Sequence, residues 1–288
     1  FWHPVLNLSN FYNQLVTNLA GAERVFEIID TEADITNGVH AEELPKISGA
    51  VEFSHVDFSY EEEVPVLKDV SFQVKPGESI ALVGPTGAGK TTIVNLIARF
   101  FDVNGGAVYI DGKNVQEVTL ESLRGQLGIM TQENFLFSGT IRDNIRYGKL
   151  DATDEEIEAA AKAVHAHEFI QSMENGYDTV LKERGAGLSA GQKQLLAFAR
   201  TLVSKPGILI LDEATSSIDT RTELLVQEGI QTLLTGRTSF IVAHRLSTIR
   251  RADRIFVIDK GGIQEMGNHD ELMQKKGAYY DLYMAQLA

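Results

Sequence analysis

The sequence predicts an α/β fold built on a mostly parallel sheet, and three apolar runs support that prediction. Ser79–Val83 is short and apolar, and it is followed by a glycine-rich loop and by the helical pattern of residues 92–100. Ile208–Leu211 is a continuous apolar run, Thr238–Ala243 is apolar from Phe240 onward, and both lead into polar side chains. Strands buried on both faces have such sequences, and open α/β sheets bind ligands at the carboxyl ends of these strands.

The loop after the first run, Gly84–Thr91, has the sequence GPTGAGKT and satisfies the phosphate-binding pattern G-x-x-x-x-G-K-[ST]. Its glycines allow backbone N–H groups to turn inward toward phosphate oxygens, and the following helix adds the positive end of its dipole. We expect Lys90 to reach the β- and γ-phosphates of a nucleotide and the Thr91 hydroxyl to bind Mg²⁺. The alternative is an ordinary glycine-rich turn, and the strand–loop–helix context argues against it.

Composition limits the function classes. The 288 residues can bury a large core, in one large domain or two small ones. Forty acidic residues against 26 basic ones give a net charge of −14, so we expect no nucleic-acid partner. The sequence has no cysteine, which excludes disulfides and thiolate metal sites. No apolar run reaches the roughly 18–20 residues of a membrane helix, no signal peptide is recognisable, and a start at Phe1 suggests a piece of a longer protein.

Residues 1–46 differ in pattern from the rest of the chain. Apolar side chains recur at spacings of three and four, which is one stripe of a helix, and the other face carries Asn and Gln. Such a half-polar helix cannot span a bilayer as it stands, and a packed surface helix is the simplest interpretation. Residues 31–45 have the composition of an acidic linker with a turn at Asn37-Gly38. The stripe consists of Val5, Leu8, Tyr12, Leu15, Leu19, Ala22, Phe26 and Ile29.

Alternating apolar residues between Val51 and Val74 predict paired strands, with a bulge at Ser54-His55. Thr153–Glu156 forms a capping-box pattern that opens an alanine-rich helix. The other expected elements are a hairpin around residues 104–112, a short strand at 128–132, helices over 140–182, a closing hairpin at 254–266 and a helical tail.

Several polar residues lie where strands are expected to end. Buried carboxylates need a partner such as Mg²⁺ or water, and adjacent strand residues face opposite ways. We therefore expect Asp212 to face a metal and Glu213 an attacking water. His244 follows the third apolar run, where a histidine is better placed for chemistry than most. Gln132 is either a plain loop amide or a sensor of metal and γ-phosphate, and Tyr60 either packs or stacks on a base.

A second loop-to-helix transition occurs at Leu188–Gln192, with the sequence LSAGQ. Ser189 and Gln192 fit the capping box S-x-x-Q at the start of an apolar helix that extends to Val203. The same helix start presents backbone N–H groups and a serine hydroxyl to an anion. The local pattern favours the capping role, and the two interpretations are compatible.

The order of these motifs resembles the nucleotide-binding domain of ATP-binding cassette (ABC) transporters. The LSAGQ segment shortly before the Asp-Glu strand is much more specific than the P-loop alone. Exporter-type features are Thr131–Ile141, Glu183-Arg184-Gly185 and Ala243–Thr248, and residues 1–30 resemble the cytoplasmic end of an exporter's last membrane helix. The resemblance covers essentially the whole chain. Its motifs in chain order are GPTGAGKT, Gln132, LSAGQ, ILILDE (208–213), SSID (216–219) and His244.

This resemblance implies a P-loop NTPase fold with a RecA-like, mostly parallel sheet core, an antiparallel β subdomain and an α-helical signature subdomain at about residues 125–204. Residues 47–288 then form the nucleotide-binding domain. Residues 1–46 form the end of the last transmembrane helix and a linker.

The resemblance also assigns the site residues. It implies that Tyr60 stacks on adenine, that Glu213 is the general base, and that His244 and Gln132 act at the γ-phosphate. The implied Mg²⁺ residues are Thr91, Gln132 and Asp212. The implied phosphate-binding residues are Gly84, Pro85, Thr86, Gly87, Ala88, Gly89, Lys90, Thr91 and Thr92. The residues implied to act in trans or at the dimer seam are Leu188, Ser189, Ala190, Gly191, Gln192 and Asp219.

The implied function is ATP hydrolysis that drives export, with ATP and Mg²⁺ as cofactors. The implied partners are a second nucleotide-binding domain and a transmembrane domain, at the cytoplasmic face of a membrane. Ala190 departs from the usual signature LSGGQ, and its methyl group is tolerable if the residue is helical. Two alternatives stay open: a weakly catalytic regulatory subunit of a heterodimer, supported by Ala190, and a soluble ABC ATPase of repair or translation.

Overall fold

The computed structural model describes residues 2–61, 63–131, 135–212, 220–243 and 246–287. Its contacts divide the chain into two compact units, one ending at Thr36 and one beginning at Asn37. The first unit contains helix α1 (Trp2–Ile29), which confirms the helix predicted from the apolar stripe. None of the α1 side chains is buried. Among the described residues, no helix is both long and apolar enough to cross a membrane.

The second unit contains all the other helices and strands. Those in its first half are β1 (Val51–Glu61), β2 (Val64–Val74), β3 (Ser79–Val83), α2 (Lys90–Ile97), β4 (Gly105–Ile110), β5 (Lys113–Asn114), α3 (Leu120–Arg124), β6 (Leu127–Met130), β7 (Gly139–Thr140), α4 (Ile141–Arg146) and α5 (Asp154–Ala163). Those in its second half are α6 (His167–Gln171), β8 (Val180–Leu181), α7 (Ala190–Val203), β9 (Ile208–Asp212), α8 (Thr220–Leu234), β10 (Thr238–Val242), α9 (Leu246–Arg251), β11 (Arg254–Asp259), β12 (Gly262–Gly267), α10 (His269–Lys275) and α11 (Ala278–Leu287).

The central sheet has six strands in the order β12-β11-β3-β10-β9-β6. Every neighbouring pair is parallel except β11 and β12, which form the predicted closing hairpin. The three apolar runs are therefore adjacent parallel strands, with β10 between β3 and β9. Because the strands are parallel, their carboxyl ends lie along one edge of the sheet.

A second, four-stranded antiparallel sheet has the order β2-β1-β4-β5. The pairing of β1 with β2 shifts register between Phe53 and Val56, which confirms the predicted bulge. The segment leading into this sheet packs with the second unit, since Leu44 and Ile47 are buried and Glu42 bridges to Val118.

The core lies on both faces of the central sheet, because successive side chains of a strand alternate between faces. In β10, Phe240 and Val242 join the core beneath the antiparallel sheet, while Ile241 joins the core beneath the helices α4–α9. Complete burial of a side chain such as Phe240 contributes about 1.5–3 kcal/mol. Burial on both faces thus favours predominantly apolar strands.

The helical region after β6 confirms most of the expectation for residues 140–182 and corrects part of it. Helices α4, α5 and α6 form there, and α5 opens with the predicted Thr153 capping box. Val180–Leu181 is instead a short strand paired with Gly139–Thr140, an antiparallel contact between distant residues that no local pattern encodes. Strand β6 belongs to the central sheet, so the helices of this region lie between Ile141 and Val203.

Candidate functional site

The glycine-rich loop connects β3 to α2 at the carboxyl edge of the central sheet. Gly84 has φ 146°, and a Cβ there would lie 2.1 Å from the carbonyl oxygen of Ile258 on the neighbouring strand β11. Only glycine permits this combination of a positive φ and close backbone approach. The loop therefore turns directly off the sheet into the first turn of α2.

Lys90 is the first residue of α2 and folds back over this loop. Its side chain is only 9% exposed, and its Nζ donates hydrogen bonds of 2.8 Å to the carbonyl oxygens of Gly84 and Pro85. Burial lowers the pKa of Lys90, and the nearby Asp212 carboxylate acts in the opposite direction. An ammonium group is thus held at the concave face of the loop, where phosphate oxygens are expected.

A cleft of about 580 Å³ opens above the loop. Its wall joins the P-loop to the ends of β9 and β10 and to the antiparallel sheet. The lining residues are Tyr60, Val66, Thr86, Gly87, Gly89, Lys90, Thr91, Thr92, Asp212 and Val242.

Tyr60 lies at the antiparallel-sheet side of this cleft. Its hydroxyl is 3.1 Å from Oγ1 of the buried Thr92, and its ring contacts Phe58 and Phe101 edge-on at centroid distances of 4.8 and 5.0 Å. The side chain remains 50% exposed. Three contacts therefore fix the ring while half of its surface stays open, so the packing and stacking interpretations are compatible.

Asp212 ends β9 beside Val242 of β10 and is partly exposed in the cleft. The Thr91 hydroxyl-bearing side chain is exposed in the same cleft. These oxygen donors fit Mg²⁺, which is usually bound by one or two protein groups together with substrate phosphates. The described part of the chain contains no cluster of three or more His, Asp or Glu that could hold a metal by itself.

Four other predicted site residues, Gln132, Glu213, Asp219 and His244, lie outside the described residues. Sequence reasoning did not single out two members of the cleft wall, Val66 and Val242. Val242 could have been found from the strand preceding His244. Val66 lies on a strand whose distance from the P-loop cannot be read from sequence spacing.

The LSAGQ segment forms the start of α7. The Ser189 Oγ accepts a 3.2 Å hydrogen bond from the Gln192 N–H, and Gln192 Oε1 accepts one of 3.0 Å from the Ser189 N–H, which confirms the predicted capping box. Ser189 is exposed, and because its oxygen acts as an acceptor, its hydroxyl hydrogen can still be donated to an anion. Ala190 is the first helical residue, so the condition for tolerating its methyl group is met.

The remaining signature residues are less accessible. Leu188 and Gln192 are partly buried, and Gly191 is buried. The cleft and the start of α7 thus carry the described parts of the predicted nucleotide and signature motifs.

Comparison with known proteins decides which family carries this arrangement. A profile described as ABC transporter matches residues 67–216, from β2 through the segment after β9. The chain belongs to the ABC transporter family. This confirms the predicted P-loop NTPase fold, and it identifies the chain as an ATP-binding domain of the ATPase type that drives ABC transporters.

Relatives of this ABC domain include the uncharacterized ABC transporter ATP-binding protein YfiC of Bacillus subtilis, which is 50% identical over 286 residues, 99% of this chain and 47% of the relative. The ATP-dependent lipid A-core flippase of Syntrophus aciditrophicus is 48% identical over 285 residues, with coverages of 99% and 47%. A solved structure of a bacterial Atm1-family ABC exporter with ATP bound matches with TM-score 0.86 and 40% identity, covering 100% of this chain and 50% of that one. The chain spans about half the length of the relatives it matches.

Proposed function

We propose that this ABC domain hydrolyses ATP between two head-to-tail copies and thereby powers export by an attached transmembrane domain. The observation that supports the proposal is the cleft at the carboxyl edge of the parallel sheet, where the Lys90 ammonium, the Thr91 hydroxyl and the Asp212 carboxylate converge. Cationic and metal-binding groups at a P-loop suit the β- and γ-phosphates of a nucleotide.

The described residues have distinct roles in this proposal. Backbone N–H groups of the loop Gly84–Thr92 and the start of α2 bind phosphate oxygens, and Lys90 adds a charge-assisted bond. Tyr60 offers its exposed ring to the adenine. Thr91 and Asp212, together with Gln132 that only the sequence motif assigns, would hold Mg²⁺, which neutralises phosphate charge when it is bound.

The proton-transfer roles fall to residues that the sequence motifs assign. Glu213 directly follows Asp212 in the sequence, and in this proposal its carboxylate would accept a proton from the attacking water. His244 comes two residues after the last residue of β10 in the sequence, and in this proposal it would hold the γ-phosphate. Catalysis in this scheme is mainly positioning and charge stabilisation.

The second copy supplies the opposite face of each site. Ser189 and Gly191, at the start of the partner's α7, would donate hydrogen bonds to the γ-phosphate, because an exposed helix N-terminus with a free hydroxyl hydrogen favours anions. Leu188, Ala190 and Gln192 would shape that helix start, and Asp219 would lie at the dimer seam.

A transmembrane partner is supported by α1 and by the relatives. Helix α1 leaves its apolar side chains exposed, with Leu8, Phe11 and Phe26 at least 60% accessible. Such a surface marks an interaction site. We propose that α1 continues a transmembrane helix of the same exporter, at the cytoplasmic face of the membrane, and that the transmembrane domain selects the substrate.

Size-exclusion chromatography of Glu213→Gln with and without Mg-ATP tests the proposal. The variant should bind ATP, form an ATP-dependent dimer and lose on the order of 10²–10⁴ in turnover. Wild-type turnover per chain should rise with protein concentration, because two copies build each site. Wild-type turnover by Glu213→Gln would refute the assigned base. A monomer with almost no wild-type activity would instead favour the regulatory subunit of a heterodimer.

A further inference from the structure

Arg200 ties the signature helix α7 to the loop that follows Gln132. Its Nη1 donates a 2.8 Å hydrogen bond to the carbonyl oxygen of Phe135 in that loop. Its Nε donates at 2.8 Å to the carbonyl oxygen of Asn144 on α4, and its Nη2 donates at 2.9 Å to Asn144 Oδ1. One guanidinium therefore joins α7 to α4 and to the loop before α4, at residues 56 and 65 positions earlier in the sequence.

Asn144 continues the connection into the loop. It is only 2% exposed. Its Oδ1 accepts a bond from the Phe137 N–H, and its Nδ2 donates to the carbonyl oxygens of Phe137 and Thr140, all at 2.9–3.0 Å. With the Arg200 bond, all four hydrogen-bonding positions of the amide are used. A buried and fully satisfied amide holds its neighbours in one arrangement.

Aromatic rings and a backbone contact enclose the connection. The guanidinium carbon lies 5.6 Å from the ring centroid of Phe137 and 5.8 Å from that of Tyr147. Burial lowers the pKa of Arg200, which agrees with this shielding from water. Gly148, just after α4, packs so closely that a Cβ there would lie 1.9 Å from the Arg200 carbonyl oxygen.

The position of Arg200 on α7 gives the connection its significance. Ser189 caps the start of this single unbroken helix, about 16 Å from Arg200 at about 1.5 Å per residue. Phe135 follows Gln132 by three residues in the sequence. The network thus joins the element that presents the signature residues to the segment that follows the predicted metal-site glutamine.

We propose that Arg200 and Asn144 are positioning residues that make loop residues 135–140 and the signature helix move as one body. This role rests on the proposed function, because the two residues would position Ser189 for the second copy's site and, at the same time, loop residues 135–140 that follow Gln132. Neither residue touches the nucleotide in this scheme. Loss of the connection leaves ATP binding at the P-loop intact and disturbs formation of the composite site.

Arg237 provides a matched control. Burial also lowers the pKa of Arg237. Arg237 lies between α8 and β10, and its Nη1 donates to backbone carbonyl oxygens at the end of α8, including that of Leu233 at 2.9 Å. Each of these Nη1 bonds stays within five residues of Arg237 in the sequence. Arg→Lys at either position keeps the charge but removes the planar fork. Only Arg200→Lys should separate a loop from a helix.

The test compares Arg200→Lys, Arg237→Lys and wild type by nucleotide-free amide exchange, ATP affinity and turnover. In Arg200→Lys we expect the Phe137 amide to exchange about tenfold faster, because opening becomes local. ATP affinity should stay within about threefold, and turnover at saturating ATP should fall about tenfold through misplacement of the composite site. Arg237→Lys should match wild type in all three.

Three results would overturn the connection: unchanged exchange at Phe137, wild-type turnover by Arg200→Lys, or an equal loss of turnover in Arg237→Lys. If Arg200→Lys fails to fold, the exchange measurement moves to Asn144→Ser, which removes the amide bonds to Phe137 and Thr140 while leaving a small polar side chain. Absence of ATPase activity in wild type would count against the proposed function instead, and the nucleotide-free exchange result would still decide the connection.

Discussion

The Gly84→Ala substitution probes how tightly the P-loop is fitted against the central sheet. The new Cβ would lie 2.1 Å from the carbonyl oxygen of Ile258, well under the 3.0 Å that real Cβ contacts respect, and the φ of 146° is strained for alanine. Relieving the contact requires β11 and the loop to separate. We expect overpacking to lower the free energy of unfolding by about 1–3 kcal/mol and backbone strain to lower it by about 1–3 kcal/mol more.

Gly87→Ala separates these two costs. Its φ is 81°, and a Cβ there would have nothing within 4 Å, so this variant bears the backbone strain alone. Gly84→Ala should therefore be less stable than Gly87→Ala by about 1–3 kcal/mol. With a urea m-value of about 3 kcal/mol/M, the urea midpoints should differ by roughly 0.3–1 M.

The assay is urea unfolding of the three proteins followed by circular dichroism, with the slopes compared to confirm that the same transition is measured. Equal midpoints for the two alanine variants would contradict the reasoning. That result would mean that the carbonyl group of Ile258 can move away at no measurable cost in stability and that β11 does not constrain the loop.

Three further predictions concern the binding site, the signature and pH. Lys90→Ala should raise the ATP dissociation constant about 10–100-fold in calorimetry, because a charge-assisted bond worth about 1.5–3 kcal/mol is lost. Ala190→Gly should change turnover less than about threefold, because position 190 is helical and the methyl group is compatible with that conformation. Glu156→Gln should lower the melting temperature at pH 6 but not near pH 2. Hydrogen bonds from Lys149 and, to a smaller extent, from Lys205 lower the pKa of Glu156 from 4.5 to about 2. The ionised carboxylate therefore contributes its full stabilisation of the folded state above pH 4.5, and this stabilisation is lost as the pH falls through 2.

Each of these three predictions has an outcome that would contradict it, and the first also has a control variant. Lys162→Ala, which removes an exposed lysine paired with Glu158, should leave ATP affinity unchanged, and unchanged affinity in Lys90→Ala would undermine the P-loop assignment. A tenfold gain from Ala190→Gly would mean that the methyl obstructs the composite site. An equal melting difference between wild type and Glu156→Gln at pH 6 and pH 2.5 would contradict the lowered pKa.

The sequence alone determined the features that depend on neighbours along the chain. Mostly apolar runs predict β3, β9 and β10, because a strand covered on both faces buries most of its side chains. The Ser189 capping box can be predicted from the sequence because Ser189 and Gln192 lie within one helical turn of each other. The glycine pattern locates the phosphate loop for the same reason.

Contacts between residues that are distant in the sequence depend on how the chain folds as a whole. The strand order puts Asp212 near Lys90, and the antiparallel sheet brings Tyr60 to Thr92. Arg200 of α7 hydrogen-bonds Asn144 of α4. Such contacts depend on sheet order, register and helix packing, which involve the whole core at once. A local pattern specifies which element a residue belongs to, while the side chain it meets across space is set by how those elements bury their apolar faces together.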